Sequence, residues 1–179
     1  MKENGRVAFE FDGTNDGMDF ASNIRESAGA STVLSVHKQV SETSLGNYLL
    51  LYKINRWLHS TDVNYSTLSL STNNVQKKYV RFQSYNTGSQ NLHSVFFDGS
   101  TQVNNIDDQN LYVDGTEETS STSTVSFAAT STGVNSIGYR SDTNSQFVNV
   151  QAQELIVYTS DKSTDRTDIE ENVGDYFTQ

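Results

Sequence analysis

Hydrophobic and polar residues alternate in short stretches along the whole chain. Val7, Phe9 and Phe11 mark one side of such a stretch near the start, and Val80 and Phe82 mark another near the middle. Period-two alternation is typical of β-strands with one buried face. It predicts strands near 6–11, 17–21, 31–37, 47–59, 64–71, 78–86, 92–98, 110–114, 124–128, 134–140 and 147–158.

Turns in this chain depend on glycine, asparagine and aspartate, because proline is absent. Asp-Gly pairs accompany predicted strand ends at Asp12-Gly13, Asp16-Gly17, Asp98-Gly99 and Asp114-Gly115. Both residue types tolerate the positive φ angles of tight hairpins, so these acids are expected to form turns and not to bind ligands. The pattern predicts an all-β fold, a two-sheet antiparallel β-sandwich, with residues 1–179 forming a single domain.

The last part of the sequence changes from alternation to a helical pattern. Ser163 is a candidate N-cap, Ile169 and Val173 lie four residues apart on one face, and Gly174 offers a stop. We therefore expect a short C-terminal helix at about 163–173, packed on the sandwich.

Charge and composition limit the partners. The formal net charge is −10 with a sequence pI near 4.6, which disfavours nucleic-acid backbones. Cysteine is absent, and no run of about 18 apolar residues predicts membrane insertion. Residues 1–20 show no export signal, so an extracellular location would need another route, such as release with a virus particle.

Aromatic and hydrogen-bonding residues recur on the reverse of two predicted core faces. A pyranose ring stacks its CH face on Trp or Tyr, and its hydroxyls pair with amides and guanidinium groups. This combination indicates a carbohydrate site, although ordinary cross-strand pairing accounts for the same residues. The candidate carbohydrate contacts are Trp57, Asn55, Tyr79, Arg81 and Tyr85.

Several motifs follow one another in an order typical of one superfamily: FDGTNDGMDF, SVFFDGST, NLYVDGTEE, NSIGYRSDT, FVNVQAQELIVYTSDKS and DRTDIEENVGDYF. In this order the chain resembles the concanavalin A-like lectin/glucanase superfamily, specifically the laminin-G-like jelly-roll modules of phage structural and bacterial surface proteins. The resemblance implies a concanavalin A-like jelly roll more firmly than it implies an activity.

Glycan hydrolases related to this fold carry a Glu-x-Asp-x-x-Glu triplet, because a nucleophile and a proton donor must flank the glycosidic bond about 5.5 Å apart. Glu154 is the only acid from Phe147 to Tyr158, and the positions two before and three after it hold Ala152 and Val157. We therefore expect no enzyme activity.

No cofactor is expected from the residues themselves. His37, His59 and His93 lack the spacing of a zinc motif. The resemblance implies that calcium is an option, since laminin-G-like relatives often bind it at one rim; Asp107, Asp108 and Asp142 would then supply oxygen ligands. Solvated loop acids are the alternative reading of these three residues.

The function predicted from these features is adhesion to a host surface glycan by a non-catalytic module, on a phage tail fibre, a capsid or a bacterial cell surface. The alternative is a structural virion decoration or tail protein that contacts other virion proteins and binds no sugar. A glycan hydrolase is a third and weaker reading. Homo-oligomers of such proteins are most often symmetric, and a trimer would suit a fibre tip.

Overall fold

The computed structural model describes residues 2–21, 30–41, 46–51, 55–62, 65–72, 76–82, 88–97, 109–118, 120–125, 134–141 and 144–177. Within these residues the strands are β1 (Lys2–Glu3), β2 (Arg6–Val7), β3 (Phe9–Asp12), β4 (Met18–Asp19), β5 (Ser31–Gln39), β6 (Gly46–Leu51), β7 (Asn55–Asp62), β8 (Tyr65–Thr72), β9 (Gln76–Phe82), β10 (Gln90–Phe97), β11 (Gln109–Val113), β12 (Thr116–Glu117), β13 (Ser120–Val125), β14 (Ser136–Ile137) and β15 (Asn149–Tyr158). A 3-10 turn at Ser163–Asp165 leads into the helix α1 (Arg166–Phe177).

The described strands form two large antiparallel sheets and one small hairpin. One sheet has six strands in the order β12-β11-β10-β5-β15-β3, and the other has seven in the order β13-β9-β8-β7-β6-β14-β4. β1 and β2 pair only with each other in the described part of the chain. The predicted all-β sandwich with a short C-terminal helix is confirmed.

The core between the sheets follows the alternation of the strands. Val33 and Val150 of the six-stranded sheet join Tyr48, Leu49 and Ile137 of the seven-stranded sheet in one buried cluster. A register shift between Asn47 and Leu49 allows two consecutive residues of β6 to enter this cluster. The central strand β5 is buried along both faces, which is why its sequence has no exposed side.

Helix α1 covers the outer face of the six-stranded sheet. Val173 and Phe177 of the helix pack against Leu34, Val36 and Leu92 of β5 and β10. The six-stranded sheet is therefore buried on both sides where the helix lies, one face against the other sheet and one against α1.

The helix bounds differ from the prediction at both ends. Regular helix begins at Arg166, after a 3-10 turn whose N-cap position is Lys162 and not Ser163. The Asp161 carboxylate, one residue before that position, accepts bonds from the Ser163 backbone N–H and hydroxyl, both at 2.9 Å. The helix also continues through Gly174 to Phe177, which is buried. Burial of that last aromatic ring offsets the low helix propensity of glycine.

The single strand predicted at 47–59 is wrong. Two antiparallel strands occupy this region, β6 and β7, with Leu51 paired to Trp57. The residues between them, 52–54, lie outside the described residues and read Tyr-Lys-Ile, with no glycine, proline or aspartate to indicate a reversal. The register of this hairpin pairs Leu50 with Leu58, so these two residues share one face of the sheet.

The prediction that Asp-Gly acids form turns holds at Asp114-Gly115 and at Asp12-Gly13, where Gly13 has a φ of 79°, but not at Asp16-Gly17, where Gly17 has no positive φ. Asp114 and Gly115 have φ values of 49° and 79° between β11 and β12, as a type I′ hairpin requires. The Asp114 carboxylate also accepts bonds from the Leu92 backbone N–H (2.8 Å) and the Asn91 side chain (2.7 Å). Asp12 accepts the backbone N–H of Thr14 at 2.7 Å. Asp98-Gly99 lies outside the described residues.

Candidate functional site

The predicted carbohydrate contacts lie in the seven-stranded sheet, as far as the structure describes them. Asn55 and Trp57 belong to β7, and Tyr79 and Arg81 belong to β9, with β8 between the two strands. The fifth predicted contact, Tyr85, lies outside the described residues. So do the three candidate calcium ligands, Asp107, Asp108 and Asp142.

The register of this sheet assigns these positions to two alternating sets. Leu49, which is buried in the core, pairs with His59; His59 pairs with Leu68, and Leu68 with Val80. Residues paired across antiparallel strands share a face, and neighbours along a strand alternate. Trp57, two residues from His59, therefore belongs to the set of Leu49, together with Asn55.

Tyr79 belongs to the alternate set, since it adjoins Val80. This set, which we call the Tyr79 face, comprises the ladders Ser60-Thr67-Arg81-Ser121, Leu58-Ser69-Tyr79-Ser123 and Arg56-Ser71-Lys77-Val125. Three cationic positions and one tyrosine thus stand among hydroxyl-bearing residues, on strands about 4.8 Å apart. The spacing suits a ligand with several hydroxyl groups.

A second surface feature, which we call the seam groove, lies where the edges of the two sheets meet. It has a volume of about 140 Å³ and lies between β3 and β15 of one sheet and β4 and β14 of the other. The lining is largely apolar: Phe9, Phe11, Met18, Phe20, Ile137, Ala152, Gln153, Glu154 and Leu155. Phe9 is 59% exposed and Met18 is 39% exposed, so apolar surface remains open to solvent there.

Three buried polar rings lie inside the sandwich. His37 stacks on Tyr48 with centroids 4.1 Å apart, and His93 lies 4.4 Å from His37. Burial lowers the pKa of His93 to about 4 and raises the pKa of Tyr48. The two histidines are distant in sequence but adjacent in space, because β5 and β10 are paired neighbours. They form a packed part of the core, and the lowered pKa keeps His93 neutral at pH 7.

Tyr139 fastens the short edge strand β4. Its hydroxyl donates to Asp19 Oδ1 at 2.6 Å, its ring stacks on Phe147 at 5.5 Å, and Gly17 lies against the ring. Partial burial, with the hydrogen bond and charge of Asp19 adding to it, raises the pKa of Tyr139 to about 12. With one ring face against Phe147 and the Gly17 backbone also in contact, this tyrosine has a structural role.

The described part of the chain shows neither a metal-binding cluster nor a membrane-spanning helix. No group of three or more His, Asp or Glu side chains there is arranged to hold a metal ion. None of the described helices is long and apolar enough to cross a membrane.

Comparison with solved structures shows the type of fold. The receptor binding domain of botulinum neurotoxin D superposes with a TM-score of 0.63 at 15% identity, over 93% of this chain and 44% of that chain. A pentraxin from Limulus polyphemus matches with a TM-score of 0.57 at 13% identity, over 93% of this chain and 82% of that one. The protein has the fold of a concanavalin A-like jelly roll.

Another jelly-roll match involves an enzyme. NanB, a sialidase of Streptococcus pneumoniae, matches with a TM-score of 0.64 at 13% identity. The match covers 90% of this chain and 27% of that chain, so this jelly roll spans about a quarter of the NanB structure. No protein-family model matches the sequence. No curated protein matches it either.

Proposed function

We propose that this jelly roll is a non-catalytic module that binds a surface glycan through the Tyr79 face. The observation that supports this most is that the outer faces of the two sheets differ. The outer face of the six-stranded sheet packs under α1, whereas the Tyr79 face alternates with the positions that carry the core residue Leu49.

Chemistry on this face is that of a hydroxyl-binding surface. Arg81 and Arg56 offer planar donors, the serine and threonine positions offer donors and acceptors, and the Tyr79 ring offers a stacking partner for a sugar CH face. A chain of net charge −10 with a cationic patch on one sheet is suited to neutral or anionic sugars at that patch.

Under this proposal the five predicted carbohydrate contacts fall into two groups, one for binding and one for stability. Tyr79 and Arg81 remain the contacts that we propose, and Tyr85 follows them along the chain beyond β9. Trp57 and Asn55 occupy the set of Leu49, so we assign them to the stability of the sandwich.

Solved relatives support a binding role. One of them is the receptor binding domain of botulinum neurotoxin D. The NanB match covers a small part of a sialidase, and this chain lacks the carboxylate triplet of the glucanase type. A non-catalytic role is therefore proposed.

The place of action that we propose is the outside of a virus particle or a bacterial cell. The motif series from FDGTNDGMDF to DRTDIEENVGDYF supports this, because it resembles phage structural and bacterial surface modules. Contacts with other virion proteins and a symmetric oligomer belong to the same proposal. Calcium at Asp107, Asp108 and Asp142 remains a proposal as well.

A glycan array with the purified protein, followed by titration of the best sugar, tests the function. Tyr79→Ala is expected to weaken binding about 5- to 30-fold, since stacking on an aromatic ring contributes on the order of 1–2 kcal/mol. Tyr79→Phe keeps the ring and should retain most of the affinity.

Trp57→Ala supplies the contrast. Because its position belongs to the set of Leu49, it is expected to lower the free energy of unfolding by about 3–5 kcal/mol. The milder Trp57→Phe should fold and bind the sugar normally. Absence of saturable binding to any sugar would overturn the proposal, and assembly with virion proteins would then be the better reading.

A further inference from the structure

We infer that the seam groove and the outer edge of β3, which no other described strand covers, together accept an extended segment of a partner protein in which apolar residues alternate with Lys or Arg. Four observations lead to this: an edge strand, an apolar groove beside it, exposed aromatic surface and an acidic rim. The inference is independent of glycan binding, which is assigned to the Tyr79 face.

The edge strand provides the backbone contacts. In the described part of the chain, β3 pairs with β15 on one side and forms the end of the six-stranded sheet on the other. The backbone groups of Glu10 and Asp12 face this outer edge, where the Asp12 N–H donates to Asp16 Oδ2 at 3.4 Å. A strand edge presents N–H and C=O groups at the spacing of a β-ladder, and an added strand would replace this long bond. An extended peptide can therefore extend the sheet beyond β3.

The groove provides pockets for alternate side chains. Phe9 and Phe11 of β3 both line it, and Met18 of β4 lines the opposite wall. Side chains of an added strand alternate between faces, so every second one would share the face of Phe9 and Phe11 and enter the groove. A volume of about 140 Å³ accommodates one aromatic or two aliphatic side chains.

Charge selects the kind of segment. The four strands around the groove, β3, β4, β14 and β15, contain Glu10, Asp12, Asp19 and Glu154 and no Lys or Arg. Cationic side chains on the partner would complement this rim. A second copy of this chain is disfavoured, because it would bring the same acids and a net charge of −10 to the contact.

Isothermal titration with synthetic peptides tests the inference. The probe is the capped heptapeptide KVKFKVK, and the comparison peptides are EVEFEVE and a scrambled KKVFVKK, which breaks the alternation. Only the alternating cationic peptide should bind saturably, with an affinity that falls as salt rises.

Variants of the protein locate the site. Phe9→Ser should weaken binding of KVKFKVK about tenfold, since it removes the exposed ring that the probe covers. Val7→Ser is the matched control, because Val7 is 69% exposed but does not line the groove; its affinity should equal that of the parent. Glu154→Gln should weaken binding about threefold and reduce the salt dependence.

Backbone hydrogen bonds between the peptide and β3 can be tested separately from the groove contacts. Hydrogen exchange at the outward amides of β3 should slow on peptide binding, and a peptide N-methylated on the amides of one edge should lose affinity while the one methylated on the other edge keeps it. Equal binding of KVKFKVK and KKVFVKK, equal effects of Phe9→Ser and Val7→Ser, or no binding would overturn the inference. Tyr79→Ala should leave peptide binding unchanged, which separates this result from the glycan proposal.

Discussion

Gly17 lies directly against the ring of Tyr139, at the point where β4 begins. A Cβ added there would overlap that ring. Gly17→Ala is therefore expected to lower the free energy of unfolding by about 1–3 kcal/mol, the usual cost of overpacking. Urea denaturation followed by circular dichroism measures the change.

Gly174 supplies the matched control for that substitution. It lies within α1, and a Cβ added there meets no atom within 4 Å. Gly174→Ala should stabilise the protein by up to about 1 kcal/mol, because alanine has the higher helix propensity. If both glycine variants shifted stability in the same direction, the contact between Gly17 and Tyr139 would not be the cause.

His93 makes stability depend on pH. Its pKa is lowered to about 4 in the folded protein, against 6.5 for the free side chain, because the ring is buried. The unfolded chain therefore binds the proton first, so stability is fully present above pH 6.5 and is lost as the pH falls toward 4. The loss is about 3 kcal/mol over that window.

Urea denaturation at a series of pH values, with the parent and His93→Gln, measures this effect. Carboxylates contribute equally in both proteins, so the difference in slope between pH 6.5 and 4 belongs to His93. The variant should show the flatter profile. Identical slopes would contradict the assignment of a buried neutral imidazole.

Arg166 of the C-terminal helix contacts the β11-β12 hairpin. Arg166 Nη1 donates to Glu170 Oε2 at 2.6 Å and to the Gly115 carbonyl at 3.4 Å, and the guanidinium lies 4.2 Å from the ring centre of Tyr112. Glu170 is 7% exposed. Arg166→Ala is expected to cost about 2–4 kcal/mol, because it leaves a buried carboxylate without its cation.

An exposed ion pair on the same segment serves as the control. Lys162 lies 3.3 Å from Asp165, and both side chains are open to solvent. Lys162→Ala should change the free energy of unfolding by less than about 1 kcal/mol. Thermal or urea unfolding would contradict the account if the two substitutions had equal effects.

Most elements could be predicted from alternation and turn residues. β5, β11 and β15 lie where the pattern indicates them, because their flanks carry clear turn or composition changes. The reversal between β6 and β7 could not be predicted, since Leu51, Asn55 and the residues between them contain no turn signal. The end of α1 was missed because tertiary burial of Phe177 outweighs Gly174.

At the scale of the whole molecule, the chemistry of the residues was predictable but not their shared faces. Tyr79 and Arg81 share one set of positions, as expected, whereas Trp57 falls in the set of the core residue Leu49. Alternation does not show which side of β6 enters the core, because the register shift places the consecutive residues Tyr48 and Leu49 there. The seam groove was also missed. It lies between β3, β4, β14 and β15, which come from both ends of the chain. No local sequence pattern predicts that these strands are adjacent.

The two sheets of this jelly roll thus carry different tasks under our account. The six-stranded sheet is enclosed between the core and α1, and the Tyr79 face of the seven-stranded sheet is the proposed recognition surface. A molecule with this division should lose binding without losing stability when the Tyr79 face is altered, and the reverse when the core set is altered.

Chemical-shift mapping by NMR tests this account most directly. The isotope-labelled protein would be titrated with the best sugar from the array. Saturable shifts should cluster on β8 and β9 around Ser69, Tyr79 and Arg81, and leave the amides of α1 and β5 unmoved. Shifts centred on α1 or the seam groove, or no shifts at all, would contradict the assignment of recognition to the Tyr79 face.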